Sequence, residues 1–351
     1  MTQDDTAVID VLDATGRGTS DADDATADDT PLVLRPAMSP GDRVFRGVMR
    51  CAGMLVLTIT GGIGVFLSVK SVPVFRELGW SFFTTSQWNP ETGEIGIAAV
   101  LVGTLELAAV AVVVAFPLAL GLALYISEYA RGGVKRALIA LVDLMAAIPS
   151  VVYGLWGVLF LMPRALYLSH WLSLHLGWIP IFAVHTNPRA AAWQQGIYTS
   201  SIFVAGLVVA MMVMPMACSV MREVFSLCPP GEKEAALALG STRWGMIRTV
   251  VLPFGRGGII GGTMLGLGRA LGETIAALMV LSIAFDIKPR ILELGGSTTS
   301  VLIASRFGDA DPFQLAALLA AGLVLFLVTL VVNVMASVLV GRSRSGATSG
   351  L

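Results

Sequence analysis

The sequence predicts an all-α polytopic membrane protein with six transmembrane helices. Three observations carry this prediction. Of 351 residues, 55% are hydrophobic and only 13% charged, too few charges to cover a soluble surface. The mean hydropathy is +0.79. The apolar residues gather in runs long enough to cross a bilayer core, which takes roughly 20 residues of helix.

Taken in order, the runs place spans at residues 46–69, 95–127, 137–162, 197–221, 257–285 and 312–340. The second is overlong and contains Pro117, so a kink or tilt is expected there. Ahead of the first span, residues 1–30 hold nine aspartates and a single basic residue, Arg17. With almost no large apolar side chains, residues 1–42 read as an acidic, disordered tail. The tail lacks the basic start and early apolar stretch of a cleavable signal, so the first span is expected to act as an uncleaved anchor. Residues 43–342 form the membrane domain, and 343–351 a short tail.

Lysine and arginine placement sets the direction. With both termini cytoplasmic, inner flanks and loops carry thirteen basic residues and outer ones seven, the asymmetry expected of that orientation. The outer loops then hold Trp80, Trp88, Trp171, Trp178 and Trp193, suited to an interfacial aromatic belt. They also hold His170, His175 and His185, crowded into one loop without zinc-site spacing. Cys51, Cys218 and Cys228 form no CxxC pair, and no metal site or disulfide framework follows.

This orientation leaves one large inner loop, residues 222–256. Pro229 and Pro230 can open a helix through "EKEAALAL" that Gly240 ends. Ser241 or Thr242 can cap a second helix that stops before Pro253. A small-residue helix on such a loop suits the groove of another protein.

Glu234, Ala235 and Ala236, then Gly240, then Val250, Leu252 and Pro253 fit the spacing E-A-A-x3-G-x9-I-x-L-P, with valine at the isoleucine position. That pattern resembles the EAA loop of ABC-transporter permeases. The segments "MAAIPSVVYGLWG" (145–157), "VLPFGRGGIIGGTMLGLGRALGETIA" (251–276) and "STTSVLIASRF" (297–307) narrow the likeness to the phosphate-importer permeases of the PstC type, over residues 46–342. The resemblance implies an ABC importer type I permease fold in a bacterial plasma membrane. It implies that Glu234, Ala235, Ala236 and Gly240 dock an ATPase, and that Arg269 and Glu273 take part in phosphate translocation. The implied partners are a homologous second permease (PstA type), two copies of an ABC ATPase (PstB type) and an extracytoplasmic phosphate-binding protein (PstS type). No cofactor is implied for this chain; ATP and Mg²⁺ would be bound by the ATPase.

The residues support that chemistry independently. Arg269 falls near the midpoint of the fifth span, where a charge costs about 2.5 to 3.5 kcal/mol on the milder scale. A guanidinium is planar, always charged and able to grip a tetrahedral oxyanion by two hydrogen bonds. In a continuous helix Glu273, four residues on, would share its face and partly neutralise it. Weaker binding suits a pathway that must also release. The competing reading is an internal ion pair that helps the bundle pack. Gly258, Gly262 and Gly266 recur every four residues, as do Gly268 and Gly272, and are expected to let neighbouring helices approach closely.

Other polar groups are weaker pathway candidates. Glu106 in the second span stands where the resembled permeases have a hydroxyl, and it can pair with a partner's basic group or line the pathway. Asp143, near the inner end of the third span, suits packing or gating as well as substrate contact. Ser150 and Tyr153 flank Pro149 and can offer hydroxyls to phosphate or satisfy backbone freed at the kink.

No Gly-Lys dipeptide occurs, so the chain has no Walker A loop and energy would arrive from a separate ATPase. The "GLGRALG" run has GxGxxxG spacing rather than the dinucleotide fingerprint. An enzyme is disfavoured, with neither a metal cluster nor a nucleophile beside a base; nucleic acid is no partner of such a chain, and membrane lipid is. The alternatives are an ABC permease for sulfate, molybdate or phosphonate, or an ATP-independent carrier. The carrier reading leaves the EAA loop without a purpose and finds no inverted repeat.

Overall fold

The computed structural model describes residues 40–184, 196 and 198–344. The acidic tail as far as residue 39, His185, Arg189, Trp193 and residues 345–351 lie outside the described residues. By internal contacts the chain divides at residue 58. The smaller unit contributes the start of α1 (Pro40–Glu77), where Val44, Phe45, Val48 and Leu55 are all exposed. An exposed apolar helix of this kind suits lipid rather than water.

The larger unit holds everything else. A short α2 (Ser81–Thr84) and a two-residue hairpin, β1 (Trp88–Asn89) with β2 (Glu94–Ile95), lead into α3 (Ala98–Leu124). That helix runs unbroken through Pro117 and ends in a π-helical turn, Tyr125–Tyr129. Next come α4 (Gly132–Ala147), α5 (Ser150–Trp156), a second π-helical turn (Gly157–Leu161) and α6 (Met162–Leu176). Then α7 (Ile202–Ser226) crosses the middle of the unit. The long loop carries α8 (Pro230–Ala238), α9 (Arg243–Met246), a third π-helical turn (Ile247–Val251) and α10 (Leu252–Phe254). The chain closes with α11 (Arg256–Leu271), α12 (Ile275–Val280), α13 (Thr299–Arg306) and α14 (Pro312–Arg344).

Five helical stretches are long and apolar enough to cross a membrane: 40–77, 98–129, 150–176, 202–226 and 312–338. A sixth appears if 243–254 and 256–271, bent by 68° at Gly255, count as one. Two expected spans therefore change. The third starts at Ser150 rather than residue 137, because Pro149 forces Ile148 into extended backbone (φ −67°, ψ 130°) and detaches α4. His170, His175 and Trp171 accordingly sit on helix α6, not in a loop. The fifth expected span, 257–285, is helical only to Leu271, stops at Gly272 and resumes for the six residues of α12. In the long loop, the second helical segment passes Pro253 and ends at Phe254, because proline near the start of a helical turn lacks only an amide that needs no partner there.

The centre of the unit is α7. Ala205, Val208, Val209, Val213, Ala217, Met221 and Phe225 are buried on it, on more than one face, as expected of a helix enclosed by others. On one side it meets α3 through a row of small residues, Ala108, Ala111, Ala115, Ala119 and Ala123, all buried. On the other it meets α11. A Cβ on Gly258 would lie 2.5 Å from Val224, one on Gly262 3.0 Å from the Ala217 carbonyl oxygen, and one on Gly266 2.6 Å from Val213. Close backbone approach is what holds helices together where no hydrophobic drive acts between them. The remaining pair differs: a Cβ on Gly268 would approach Asn333 of α14, and one on Gly272 would meet only its own preceding turn.

Gly258→Ala should lower the stability of the purified protein by about 1–3 kcal/mol through overpacking against Val224. Gly121→Ala, where a Cβ meets nothing within 4 Å, should be neutral or stabilising by up to about 1 kcal/mol. Thermal unfolding in detergent reads both.

Candidate functional site

The first candidate lies where α11 gives way to α12. Gly272 ends α11 with φ −94° and ψ 1°, and Glu273 falls in the gap. The Glu273 side chain turns away from α11: its Oε1 accepts the Ala276 N–H at 3.1 Å. It thereby satisfies a free amide at the start of α12, where a carboxylate also meets the positive end of the helix dipole. Glu273 is buried, with 7% exposure. Its carbonyl accepts the Ser300 hydroxyl at 2.8 Å, which ties the gap to α13.

A set of buried hydroxyls continues from there. Thr298 caps α13 by accepting the Val301 N–H at 3.3 Å, and it bonds the Ser300 hydroxyl at 3.0 Å. Thr104 of α3 accepts the Thr299 N–H at 2.9 Å. Sequence reasoning missed this cluster as a site-building element, although "STTS" before an apolar helical run is a capping signal.

Arg269 is exposed on α11. Its Nη2 donates to Met212 Sδ of α7 at 3.7 Å, a weak acceptor. Among the described residues no carboxylate pairs with it, and Arg269 and Glu273 form no ion pair. The expected partial neutralisation of Arg269 by Glu273 is therefore corrected: it required an unbroken helix, and the helix breaks between them.

The weaker candidates scatter. Glu106, half-buried on α3, lines a small cleft with Asp286, Lys288, Arg290 and Gly296. Within it Lys288 donates to the Leu294 carbonyl at 3.3 Å and Arg290 pairs with Glu293 at 3.5 Å. Asp143 of α4 meets Arg222, near the end of α7, at 3.7 Å. Tyr153 of α5 is buried, and its hydroxyl donates to the Met145 carbonyl at 2.9 Å, satisfying backbone freed by the Pro149 break. Ser150 begins α5.

At the other candidate site, α8 is a surface helix with Glu234 and Ala235 exposed and Ala236 half-buried. Gly240 ends it at φ +85°, a conformation glycine adopts without strain. Ser241 donates twice to the Ala236 carbonyl, from N–H at 3.2 Å and hydroxyl at 2.7 Å. Thr242 caps the next helix through the Gly245 N–H at 3.1 Å. Leu239 is 89% and Trp244 59% exposed, so the loop presents apolar side chains outward. One strong contact anchors it: Lys233 Nζ lies 2.7 Å from Glu128 Oε1, in the π-helical turn ending α3, with side-chain exposures of 20% and 8%.

No group of three or more metal-ligating side chains occurs among the described residues. His175 engages the Trp171 carbonyl at 2.9 Å, and His170 lies edge-on to Tyr198. Cys218 and Cys228 are buried and Cys51 exposed, all three as free thiols.

Residues 115–345 match the family described as binding-protein-dependent transport system inner membrane component. A protein of Mycobacterium tuberculosis named phosphate transport system permease protein PstC 2 is 36% identical over 317 residues, covering 89% of this chain and 95% of its own. A Xylella fastidiosa protein named phosphate transport system permease protein PstC is 40% identical over 324 residues, covering 89% and 97%. Among solved structures, a bacterial ABC transporter importing the acidic polysaccharide alginate aligns with TM-score 0.53 at 20% identity, over 86% of this chain and 99% of that one. The alginate transporter in complex with its pentasaccharide-bound periplasmic protein aligns with TM-score 0.54 at 19% identity, over 89% and 97%. Those identities speak for the fold alone: an ABC importer permease fold of apolar helices. With two thirds of its length matched and relatives aligned over nearly nine tenths of it, this multi-pass membrane chain belongs to the binding-protein-dependent transport system inner membrane component family.

Proposed function

We propose that the chain is the permease subunit of an ATP-driven importer of inorganic phosphate and forms half of its translocation pathway. The observation that carries this reading is Arg269, a fixed positive charge exposed on an apolar helix, whose side chain among the described residues hydrogen-bonds a thioether and pairs with no carboxylate. Phosphate supplies the oxygens that a guanidinium fork lacks here. The names of the relatives support phosphate over other oxyanions, which arginine alone does not separate. Glu273 acts on the pathway indirectly, by capping α12 and so fixing the break beside Arg269.

The chain works as half of a pair, with a homologous permease of the PstA type opposite. A phosphate-binding protein of the PstS type delivers substrate, and two ATPase subunits of the PstB type bind ATP and Mg²⁺. The exposed segment from Glu234 to Gly240 is the docking element for the ATPase and faces the cytoplasm, with both termini on that side. The half-buried Lys233–Glu128 pair then carries its displacement to α3, and alternating access exposes Arg269 to each side in turn. Glu106 and its cleft line the outer approach; Asp143, held by Arg222, braces α4 against α7.

Labelled-phosphate uptake by the assembled complex should fall about tenfold to a hundredfold in Arg269→Ala, the loss of one or two charge-assisted hydrogen bonds, with Arg269→Lys between alanine and wild type. Normal uptake in both variants would return Arg269 to a packing role. Glu234→Arg and Gly240→Pro should release the ATPase on co-purification and abolish phosphate-stimulated ATP hydrolysis. Retained association and hydrolysis in both would remove the docking assignment.

A further inference from the structure

A groove of about 510 Å³ runs between α11 and α14. Gly261 and Leu265 line its α11 wall and Asn333 and Ser337 its α14 wall. Gly261, Leu265 and Arg269 recur every four residues, so they share one face of α11. Asn333 and Ser337 are likewise four apart on α14. The groove thus begins at Leu265, one helical turn before Arg269, and runs toward Gly261 and Gly341, the end at which α11 joins the long loop. The two walls meet closely at its start: Asn333 Oδ1 would lie 3.3 Å from a Cβ on Gly268, the residue before Arg269.

Both polar side chains in the groove are exposed, and neither makes a side-chain hydrogen bond among the described residues. For Ser337 this is unusual within this chain. Thr58, Ser68, Ser71, Thr104 and Thr263 all donate to the carbonyl four residues back in their helices. An amide and a hydroxyl left unpaired in hydrocarbon are costly, so a groove that presents both calls for water or a polar occupant. No carboxylate lines it.

We propose that this groove is a second oxyanion station, the release side of the pathway, in which Asn333 and Ser337 receive phosphate from Arg269. The proposal rests on the phosphate reading given above. The chemistry suits a release step: an amide NH₂ and a hydroxyl offer hydrogen bonds without a net charge, so they hold an anion more weakly than a guanidinium does. A sequence of a strong site followed by a weaker one lets the ion leave. The competing occupants are a helix of the second permease, which an intramembrane asparagine can bond, and lipid tails.

The test uses the whole complex in inside-out vesicles, with Cys51→Ala removing the exposed native thiol. Ser337→Cys should react with a charged, water-borne methanethiosulfonate, and inorganic phosphate with ATP should slow that reaction about threefold or more, the mark of a shared aqueous site. Asn333→Asp, which places a like charge before the anion, should lower uptake about tenfold with assembly unchanged, whereas Asn333→Gln stays within about threefold of wild type. A Ser337→Cys thiol reached only by a membrane-soluble maleimide would assign the face to lipid. Loss of the second permease from Asn333→Asp would assign it to a helix contact. Either result overturns the proposal. Arg269→Ala, assayed in parallel, separates the two claims. If it abolishes uptake while Asn333→Asp and Ser337→Cys behave as wild type, only the groove assignment fails. If it leaves uptake normal, the phosphate role of Arg269 fails as well.

Discussion

The hydrogen bond from the Ala276 amide to the Glu273 carboxylate is the constraint on which the rest of the site depends. A helix broken inside an apolar bundle leaves free amides that neither lipid nor water satisfies, and each must find a partner within the protein. Glu273 supplies one. In doing so it turns its charge toward α12 and leaves Arg269 with no opposing carboxylate. The same residue's carbonyl accepts Ser300, and through the Thr298–Ser300 pair and the neighbouring Thr299, which bonds Thr104 of α3 by amide and hydroxyl, the gap, α13 and α3 share one polar seam. A buried seam of this sort is stable only when its members are mutually satisfied.

Everything around that seam serves close approach. The alanine row of α3 and the glycines of α11 bring both helices onto α7 at distances that tolerate almost no added atoms. Rigid contacts of this kind move as units and not by gradual deformation. Among the described residues one half-buried ion pair, Lys233 with Glu128, joins the long loop to the end of α3. Removing either member would leave the other half-buried charge without its partner, which is why such a pair fixes geometry better than it adds stability.

Much of this was legible in residues. Four of the expected spans fall on helices because long apolar runs have few other solutions in a membrane. The long loop is legible at its first helix and at the start of its second, since Pro230, Gly240 and Thr242 each carry a local backbone preference that needs no tertiary context, but not at the end of the second, which passes Pro253. The two failures share a cause. Hydropathy averages over a window and does not see where a helix stops. At Pro149 the stop signal is present, but a proline fits a kink within one span equally well. At Gly272 it was weaker, because glycine also recurs through α11 without interrupting it. The pairing of Arg269 with Glu273 inherited that second error, since four-residue spacing brings side chains together only in an unbroken helix. His170 and His175 fall on a helix because the third span continues to Leu176, past the point where hydropathy drops. Contacts that join distant parts of the chain, such as Thr104 to Thr299 and Lys233 to Glu128, leave no mark in local pattern at all.

The central claim is that Glu273 caps α12 and does not neutralise Arg269. A double-mutant cycle on thermal unfolding, with Arg269→Met, Glu273→Gln and both together, tests it most directly. The account predicts that the two effects add to within about 0.5 kcal/mol, as for residues that share no interaction. A favourable coupling of about 1 kcal/mol or more between them would mean that the two charges are paired in the folded protein, and would contradict the account.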